Sequence, residues 1–587
     1  MKISEKLDKL RELMKNNNLS MYYIPTDDYH MSEYVGDYFK SRVFMSGFTG
    51  SAGVLLVTLD NAYLWTDGRY FLQAAKQLEG STINLMKIGE EGVPTVLEFI
   101  SNYSGKKNLG FDGRTVSASF GEALEKISGI SLNPNLDLVD MIWTDRPTLS
   151  CEPAYELDYE FSGQERRDKL AMIQDNLVKK NANVTYISSL DDIMWTLNLR
   201  GNDVTCNPVV LSYLAVYQDK AILYVNSKAL NPTIKANLSK DRIIIRDYNQ
   251  VYSDIEANSG DVIILDKAKS NYKILTSIAK TNRIIFESNI TTLAKACKNK
   301  TEVENFRKAH IRDAVAMIKF MYWLKTNVGK IDMSELSVTE YLYNLRKTGK
   351  NFKDISFSTI AGFGEHGAIV HYSATEETNA KIVPGNLLLV DSGAHYLEGT
   401  TDITRTFALG DVTCDMKHDF TLVLKGYLAL SDLIFKEGVN GQTLDLAARE
   451  ALWREGKDFN HGTGHGVGYL LNVHEGPQNI KYNRESHTFL PGMITSDEPG
   501  LYIAGKYGIR HESLILCKEY KKTEFGNFYC FEPITLVPFD LDGIDKSLLT
   551  SEEKAKLNAY HKRVYDVISP LLTEKEAKFL KKYTKEI

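Results

Sequence analysis

Apolar residues at the start of the chain recur at helical spacing, and shorter strand-like runs follow them. The helical positions lie three or four residues apart and are Ile3, Leu7, Leu10 and Leu13. Runs with strand character follow at residues 21–24, 53–58 and 62–65. The same order returns later, with a helical stretch at 165–179 and strands at 184–187 and 221–225. These patterns predict either a tandem pair of related α/β domains or two unrelated α/β segments, and they do not decide between the two.

Breaks in this periodicity divide the chain into three predicted domains. At 587 residues the chain is too long for a single hydrophobic core. Two prolines, Pro147 and Pro153, interrupt the periodicity after the first domain. A long helix is predicted to open the third domain, because Thr301 and Glu304 have the spacing of a capping box. We expect boundaries that give domains at 1–150, 151–300 and 301–587, the last ending in charged helices over 551–583.

Two aspartates belong to a predicted β-hairpin in the third domain. The apolar residues 387–390 predict a buried strand that ends in Asp391, and a glycine-containing turn follows. Asp402 is expected on the returning strand, where pairing can bring the two carboxylates side by side. Buried carboxylates require compensation, which a cation would supply. Either aspartate alone is better explained as a residue that caps a turn.

A glycine-rich segment further along carries histidines. His461 and His465 are four residues apart, but the interspersed glycines disfavour a helix and predict extended backbone near a ligand. The segment lacks the G-x-G-x-x-G spacing and no P-loop lysine follows, which disfavours a nucleotide site. His474 follows nine residues later. Glu498, before Pro-Gly, and Glu512, after Gly-Ile-Arg-His, each stand beside rigid or tight backbone.

Taken together, these residues form an oxygen-rich set of possible metal ligands. Two aspartates, two glutamates and a histidine without cysteine suit Mn²⁺ better than a structural zinc, although Co²⁺ or Zn²⁺ can enter such a site. Four carboxylates would leave excess negative charge around one divalent ion, whereas two ions would balance it. Paired divalent ions characteristically share a hydroxide that attacks a carbonyl or phosphoryl group. The set therefore predicts a hydrolase.

Composition narrows the class of protein and its partners. The net charge of -6, from 70 basic and 76 acidic residues, argues against a nucleic-acid-binding protein. The N-terminal segment lacks the apolar core of a signal peptide, and no apolar run approaches the ~20 residues that span a bilayer. The six cysteines form no C-x-x-C pair, which is typical of reduced thiols. We expect a cytoplasmic protein with neither a nucleic-acid nor a membrane partner.

Longer motifs around these residues resemble the creatinase/prolidase/methionine aminopeptidase superfamily, peptidase family M24. Within it, the chain is most similar to the three-domain, cytosolic type of Xaa-Pro aminopeptidase (aminopeptidase P). The motifs that carry the resemblance are long, keep their order and extend along nearly the whole chain. They lie at residues 44–53, 64–73, 142–147, 197–203, 399–405, 461–468, 472–477 and 497–500.

The resemblance implies both a fold and an activity. Two N-terminal α/β domains of the ribonuclease-H-like creatinase type, 1–150 and 151–300, would precede a pita-bread metallopeptidase domain, 301–587, with a C-terminal helical extension. The activity would be that of a metallo-aminopeptidase which hydrolyses the N-terminal Xaa-Pro bond with a hydroxide bridging two divalent metal ions per subunit. Its substrates would be peptides with proline in second position. Such relatives are commonly homodimers, and we expect the same of this chain.

The motifs of the family also imply roles for individual residues. The metal ligands fall on Asp391, Asp402, His465, Glu498 and Glu512. Glu498 would in addition accept a proton from the attacking water. His371 and His474 match the residues that hold the scissile carbonyl and the developing oxyanion. The pocket for the proline ring falls on His461, Tyr502 and Arg510.

The chain departs from the family pattern at two places. His511 stands where an apolar residue is expected, and Glu365-His366 alters the loop before His371. Strand alternation predicts that His511 points away from Arg510 and Glu512.

Three other functions are alternatives to the Xaa-Pro aminopeptidase. A prolidase is the nearest alternative, followed by a metal-free creatinase-type hydrolase and a non-catalytic peptide-binding protein. Two extra domains favour the aminopeptidase over the prolidase, and five retained ligand positions disfavour the other two.

Overall fold

The computed structural model describes residues 1–587, which form two compact units. Unit 1 comprises Met1–Leu157 and Gln164–Thr292, and unit 2 comprises Asp158–Gly163 and Leu293–Ile587. Neither unit contains a helix whose length and apolar character would let it cross a membrane.

The first 150 residues form an α/β fold around one sheet. Its strands are β1 Met21–Pro25, β2 Val54–Thr58, β3 Ala62–Thr66, β4 Ile83–Lys87, β5 Lys107–Gly110 and β6 Ile130–Asn133. Its helices are α1 Ile3–Asn16, α2 Ser41–Ser46, α3 Phe71–Gln77, α4 Val96–Asn102 and α5 Ala118–Glu125. Every residue of the central strand β1 is buried, because hydrophobic clusters cover both faces of the sheet. The predicted first helix and first three strands are confirmed.

A second set of strands and helices follows. The strands are β7 Tyr155–Glu156, β8 Val184–Ile187, β9 Leu199–Arg200, β10 Ser212–Tyr217, β11 Ala221–Val225, β12 Ile243–Arg246, β13 Val262–Leu265 and β14 Arg283–Phe286. The helices are α6 Tyr159–Ser162, α7 Arg166–Lys179, α8 Leu190–Leu197, α9 Pro232–Lys240, α10 Gln250–Ala257, α11 Tyr272–Ser277 and α12 Ile290–Ala296. The helix and strands predicted between residues 165 and 225 are among them.

The two six-stranded sheets of unit 1 have the same topology. Their strand orders are β4-β3-β2-β1-β5-β6 and β12-β11-β10-β8-β13-β14. In each sheet the first long strand pairs antiparallel with the second and parallel with the fifth. Equal order and equal strand direction confirm the tandem pair of α/β domains over the alternative of two unrelated segments.

Unit 2 contains the remaining helices and strands. The helices are α13 Lys300–Asn327, α14 Glu335–Lys347, α15 Cys414–Ser431, α16 Gly441–Trp453, α17 Ser551–Ile568 and α18 Glu574–Tyr583. The strands are β15 Phe352–Ile355, β16 Ile360–Phe363, β17 Asn386–Ser392, β18 Ala394–Tyr396, β19 Gly399–Thr400, β20 Ile403–Leu409, β21 Ile434–Lys436, β22 Gly464–His465, β23 Asn479–Ile480, β24 Ile494–Asp497, β25 Gly500–Ile503, β26 Tyr507–Arg510, β27 Ser513–Thr523 and β28 Gly526–Pro533.

The strands of unit 2 form two main sheets against a helical layer. The strand orders of these sheets are β16-β17-β20 and β21-β28-β27-β24; shorter strands form the sheet β15-β18-β19 and pairs such as β25-β26. A large apolar cluster joins helices α13, α14, α15, α17 and α18 to strands β17 and β20. The two predicted C-terminal helices are confirmed, and both contribute buried residues to this cluster.

Two local predictions in unit 2 are wrong. Helix α13 begins at Lys300 rather than after Thr301, because Asn299 is the N-cap and exchanges capping hydrogen bonds with Glu302. Asparagine caps a helix at least as well as threonine, so spacing alone could not choose between the two boxes. The aspartate hairpin is interrupted as well, since β18 and β19 join β15 in another sheet. Asp402 therefore lies one residue before β20 rather than on it.

Candidate metal centre

Three of the predicted ligands converge on one point of unit 2. Oxygen or nitrogen atoms of Asp402, His465 and Glu512 all lie within 4.8 Å of one another. These residues come from three elements: the segment before β20, the short strand β22 and the connection between β26 and β27. Asp402 and Glu512 are almost completely buried. The residues are more than 100 positions apart at their extremes, so only the tertiary fold brings them together.

The other two predicted ligands border this cluster. Asp391 lies on β17 opposite Thr404 of β20 and is near enough to Asp402 for the two charges to interact. Glu498 directly follows β24, as predicted, and its Oε1 atom lies 3.4 Å from Nε2 of His465. The same nitrogen lies 3.5 Å from Oδ2 of Asp402. All five predicted ligand residues are thus brought into one buried region.

Backbone contacts orient the imidazole of His465 towards the carboxylates. Its Nδ1 atom donates to the Gly466 carbonyl at 3.0 Å, which turns Nε2 towards the acids. Ser496 was not predicted from the sequence, yet its hydroxyl accepts from the His465 N–H at 2.9 Å and donates to Glu498 at 3.0 Å. The sequence feature that could have pointed to Ser496 is its position on strand β24, two residues before Glu498.

Burial and mutual repulsion raise the pKa of three of the carboxyl groups. Burial is the largest cause for Asp391, Glu498 and Glu512, and neighbouring carboxylates add to it. Arg510 opposes the rise in pKa at Asp391 and Glu498. Burial lowers the pKa of His465, but its carboxylate neighbours outweigh that effect and raise the pKa to about 9. With all four carboxyls ionised, the cluster would carry more negative charge than His465 and Arg510 balance, and the raised pKa values express that imbalance.

Thr404 links the cluster to Arg510, a role that was not predicted from the sequence. Its hydroxyl accepts from Nε of Arg510 at 3.1 Å and donates to Oε2 of Glu512 at 2.7 Å. The Glu512 N–H donates to the Thr404 carbonyl at 3.0 Å, which holds the glutamate beside β20. The two-residue spacing from Asp402 was the only signal in the sequence for this residue.

The three residues predicted for a proline pocket form one hydrogen-bonded chain. Arg510 donates from Nη1 to the Tyr502 hydroxyl and from Nη2 to Oδ2 of Asp391, both at 2.6 Å. The Tyr502 hydroxyl contacts Nε2 of His461 at 2.8 Å, and Nδ1 of that ring contacts the Gly462 carbonyl at 2.7 Å. Burial, followed by the charge of Arg510, lowers the pKa of His461 well below its usual value. His461 is therefore neutral and accepts from Tyr502.

The remaining two predicted histidines lie beside these groups. The ring of His474 packs edge-on against His465, with ring centroids 4.3 Å apart. His371 follows the 3₁₀ helix Gly364–Ala368 and is near His461. Its charge lowers the pKa of His461 further, in addition to the effects of burial and Arg510. Both side chains are partly exposed. They are thus placed at the accessible side of the buried carboxylates.

The two departures from the family pattern lie in different surroundings. His511 is fully buried, contacts the Phe420 carbonyl at 3.3 Å and packs against the Phe420 and Phe539 rings. Its contacts with helix α15 agree with the predicted alternation. His366 instead contacts a buried carboxylate, with 2.9 Å between its Nδ1 atom and Oε1 of Glu335. Glu365 is exposed.

Divalent cations fit this set of side chains. Oδ1 of Asp391 is buried and has no hydrogen-bond partner, which is costly for a carboxylate unless a cation takes it up. The donor atoms are carboxylate oxygens and one imidazole nitrogen, the types that harder divalent ions prefer. A pair of divalent ions would also supply the positive charge that the cluster lacks.

Four protein-family models together match nearly the whole chain. Residues 304–519 match the model of metallopeptidase family M24, and residues 527–587 match the C-terminal region of that family. Residues 6–142 and 145–302 each match a creatinase/prolidase N-terminal domain. The two N-terminal matches coincide with the two equivalent sheets of unit 1.

Individual relatives resemble the chain over nearly its full length. A protein of Laccaria bicolor named "Probable Xaa-Pro aminopeptidase P" is 40% identical, over 97% of this chain and 91% of its own. "Xaa-Pro aminopeptidase 1" of Dictyostelium discoideum is 39% identical over 97% of this chain and 94% of its own. The crystal structure of X-prolyl aminopeptidase from Caenorhabditis elegans, described as a cytosolic enzyme with a di-nuclear active site, is 34% identical and covers 100% of both chains at a TM-score of 0.96. The chain therefore belongs to metallopeptidase family M24 and, within it, to the Xaa-Pro aminopeptidases.

Proposed function

We propose that the protein is a metallo-aminopeptidase that hydrolyses the bond between an N-terminal residue and a following proline. The observation that carries this proposal is the convergence of Asp402, His465 and Glu512 within 4.8 Å, with Asp391 and Glu498 beside them. The full-length similarity to proteins named Xaa-Pro aminopeptidase supports the choice of substrate. Proline-second peptides are the proposed substrates.

In the proposed site, five side chains hold two divalent ions per subunit: Asp391, Asp402, His465, Glu498 and Glu512. The carboxylate-rich donor set makes Mn²⁺ the first choice, with Co²⁺ or Zn²⁺ as alternatives. When bound, such a pair of ions polarises the scissile carbonyl and makes a water nucleophilic near neutral pH. The di-nuclear active site described for the worm enzyme supports the number of ions.

Glu498 is the proposed proton acceptor for the attacking water. Its Oε1 atom is held by the Ser496 hydroxyl at 3.0 Å, and its N–H donates to the Thr463 carbonyl at 2.8 Å. The carboxyl group is thereby fixed at the edge of the ligand cluster. After attack, the proton held by Glu498 can pass to the proline nitrogen as the carbon–nitrogen bond breaks, so the acid serves both halves of the reaction.

His371 and His474 are the proposed partners of the scissile carbonyl and of the oxyanion that forms from it. Both are partly exposed beside the buried ligands, where a peptide backbone can reach them. Hydrogen bonds from imidazole groups to the carbonyl oxygen strengthen as negative charge develops on it. Their contribution is therefore expected mainly in kcat.

The proposed proline pocket consists of His461, Tyr502 and Arg510. Tyr502 packs against the apolar cluster of Ile360, Tyr372 and Leu389, which supports an apolar wall. A proline ring has no amide hydrogen to satisfy, so such a wall accepts it without an unpaired donor. The hydrogen-bonded chain from His461 to Asp391 ties the pocket rigidly to the ligands.

We further propose a cytoplasmic homodimer with the domain division 1–150, 151–300 and 301–587. The description of the worm enzyme as cytosolic supports the compartment. The family matches at 6–142, 145–302 and 304–519 support the division. Sedimentation of the purified protein would test the dimer, because a single species of 66.3 kDa would contradict it.

A comparison of two peptides tests the proposed activity against the prolidase alternative. Purified protein with Mn²⁺ should release arginine from Arg-Pro-Pro, because the aminopeptidase accepts peptides that continue after proline. A prolidase would cleave only dipeptides such as Ala-Pro. Metal content measured on the same sample should be near two ions per chain. Cleavage confined to Ala-Pro would replace the proposed function by the alternative.

A further inference from the structure

Glu335 is a buried carboxylate outside the proposed metal site that accepts hydrogen bonds from a single long segment. It is the first residue of helix α14 and is fully buried. Its Oε1 atom accepts from the Phe363 N–H at 2.8 Å, and its Oε2 atom accepts from the Ala380 N–H at 2.9 Å. These two donors stand at the two ends of residues 363–380, the segment that carries His371.

Two side chains from the middle of the segment reach the same carboxylate. The Tyr372 hydroxyl donates to Oε2 at 2.8 Å, and Nδ1 of His366 lies 2.9 Å from Oε1. The His366 and Tyr372 rings stack on each other, with centroids 4.5 Å apart. Glu335 therefore contacts the segment at both ends, at its 3₁₀ helix and at the residue directly after His371.

Such a carboxylate is not explained by helix stability alone. Ser334 already caps α14, so the helix does not need a buried acid at its first position. Burying a carboxylate is costly unless several donors satisfy it, and here all four donors belong to residues 363–380. The side chain thus fixes the segment rather than its own helix.

We propose that Glu335 is a positioning residue that holds His371 in place for the reaction by anchoring residues 363–380. This inference rests on the proposed function, in which His371 contacts the scissile carbonyl. Since Tyr372 is tied directly to Glu335, the backbone at His371 cannot rotate freely. Loss of the anchor would let the imidazole leave the position from which it donates to the transition state.

Kinetics of Glu335→Gln test the proposal. The amide keeps the size of the side chain but replaces one acceptor oxygen by a donor, so two of the four contacts are lost. We expect kcat for Arg-Pro-Pro to fall about 10- to 100-fold, as for other groups that orient a reacting side chain, with KM changed less than about twofold. Tyr372→Phe and His366→Phe each remove one contact while keeping the stacked rings, and each should lower kcat about fivefold.

A double-variant cycle with His371 separates positioning from general destabilisation. In a His371→Ala background, Glu335→Gln should cause no further loss of kcat, because the group it positions is absent. Asp313→Asn is the matched control, a buried acid of the same unit that contacts Arg346 and Tyr396. It should lower stability while kcat per folded enzyme stays unchanged. An equal loss from Glu335→Gln with and without His371 would overturn the proposal.

Hydrogen exchange gives a second readout that does not depend on activity. The amides of Phe363 and Ala380 should exchange faster in Glu335→Gln and in Tyr372→Phe, while those of strand β17 should keep their protection. If the wild type left every proline-second peptide intact, the proposed function would fail, whereas faster exchange would still show that Glu335 anchors the segment. Unchanged exchange at residues 363–380 would overturn the anchoring itself.

Discussion

The buried acids of unit 2 differ in whether the protein itself balances their charge. Asp313 accepts two hydrogen bonds from Arg346, at 2.8 and 2.9 Å, and Asp540 is paired with Lys325. Asp402 and Glu512 instead approach each other and one imidazole. The charge of Asp313 or Asp540 is balanced by its partner in the protein. The charges of Asp402 and Glu512 together require a cation from outside the chain.

Replacing Asp402 by alanine tests this distinction at a single residue. We expect hydrolysis of Arg-Pro-Pro to fall by about three orders of magnitude, about 4 kcal/mol in activation free energy, because the metal pair loses a ligand. The metal-free variant should be no less stable than metal-free wild type, since one of several mutually repelling charges is removed. Activity, metal content and chemical unfolding of both proteins measure these effects, and unchanged turnover would refute the ligand role.

The role of a single residue could be predicted from the sequence where the residue lies in a recognisable motif. It could not be predicted where the role depends on contacts between distant parts of the chain. All five predicted ligands come into one region because each lies at or beside the end of a strand, and Asp402, His465 and Glu498 lie within motifs shared with the family. Thr404 acquires its role only when β17 and β20 pair, which sets it opposite Asp391. Glu335 lies 28 to 45 residues from its hydrogen-bond donors, a separation that no local pattern encodes.

At the scale of elements, periodicity placed several strands and helices close to their observed bounds but did not predict their connections. The helix at 165–179 and the strand at 184–187 occur within one residue of their predicted bounds. The insertion of β18 and β19 between the two aspartates was missed because these short strands pair with each other, and β18 with β15, rather than with β17 or β20. Local hydrophobic patterns report burial, whereas strand partners depend on the whole sheet.

Helices α13 and α14 are joined by a buried ion pair whose removal should destabilise unit 2. Asp313 of α13 contacts Arg346 of α14, and neither side chain is more than 4% exposed. Replacing Asp313 by alanine leaves the guanidinium buried and unpaired, so we expect a loss of about 3–5 kcal/mol. Denaturant unfolding would measure it. The double variant Asp313→Leu with Arg346→Met should recover much of the loss, and failure to do so would argue against the ion-pair explanation.

Helix α17 makes stability depend on pH through His561. The Phe539 N–H donates to its Nε2 atom at 3.1 Å, while burial and then the charge of Arg405 lower the pKa to about 3. In the unfolded chain the pKa is about 6.5. Between these values the unfolded chain binds a proton that the folded chain excludes. The contribution of His561 to the free energy of unfolding is therefore complete above pH ~6.5 and falls as the pH drops towards 3.

The variant His561→Gln should remove this dependence, because the amide oxygen can accept from Phe539 without titrating. We expect wild type to lose on the order of 3 kcal/mol more than the variant between pH 7 and pH 4. Urea unfolding at several pH values provides the comparison. Parallel pH curves for the two proteins would show that His561 is not the group responsible.

At the scale of the whole molecule, all five proposed ligands belong to unit 2, and none comes from the tandem domains of unit 1. They are drawn from segments around β17, β20, β22, β24 and β26, which are separated by as much as 121 residues, from Asp391 to Glu512. Bound ions would therefore act as cross-links between these strands, and the stabilisation depends on the concentration of free ion relative to its dissociation constant.

Removal of metal should accordingly loosen unit 2 selectively. Treatment with a chelator is expected to abolish hydrolysis and to speed amide exchange in peptides covering residues 386–410, 461–480 and 494–516. Free Mn²⁺ at about 100 times its dissociation constant should restore about 2.7 kcal/mol of stability to those strands. Peptides from the two six-stranded sheets of unit 1 serve as the internal control, since they contribute no ligand. If exchange in those sheets changed as much as in β17 and β24, the ions would bind elsewhere than the carboxylate cluster.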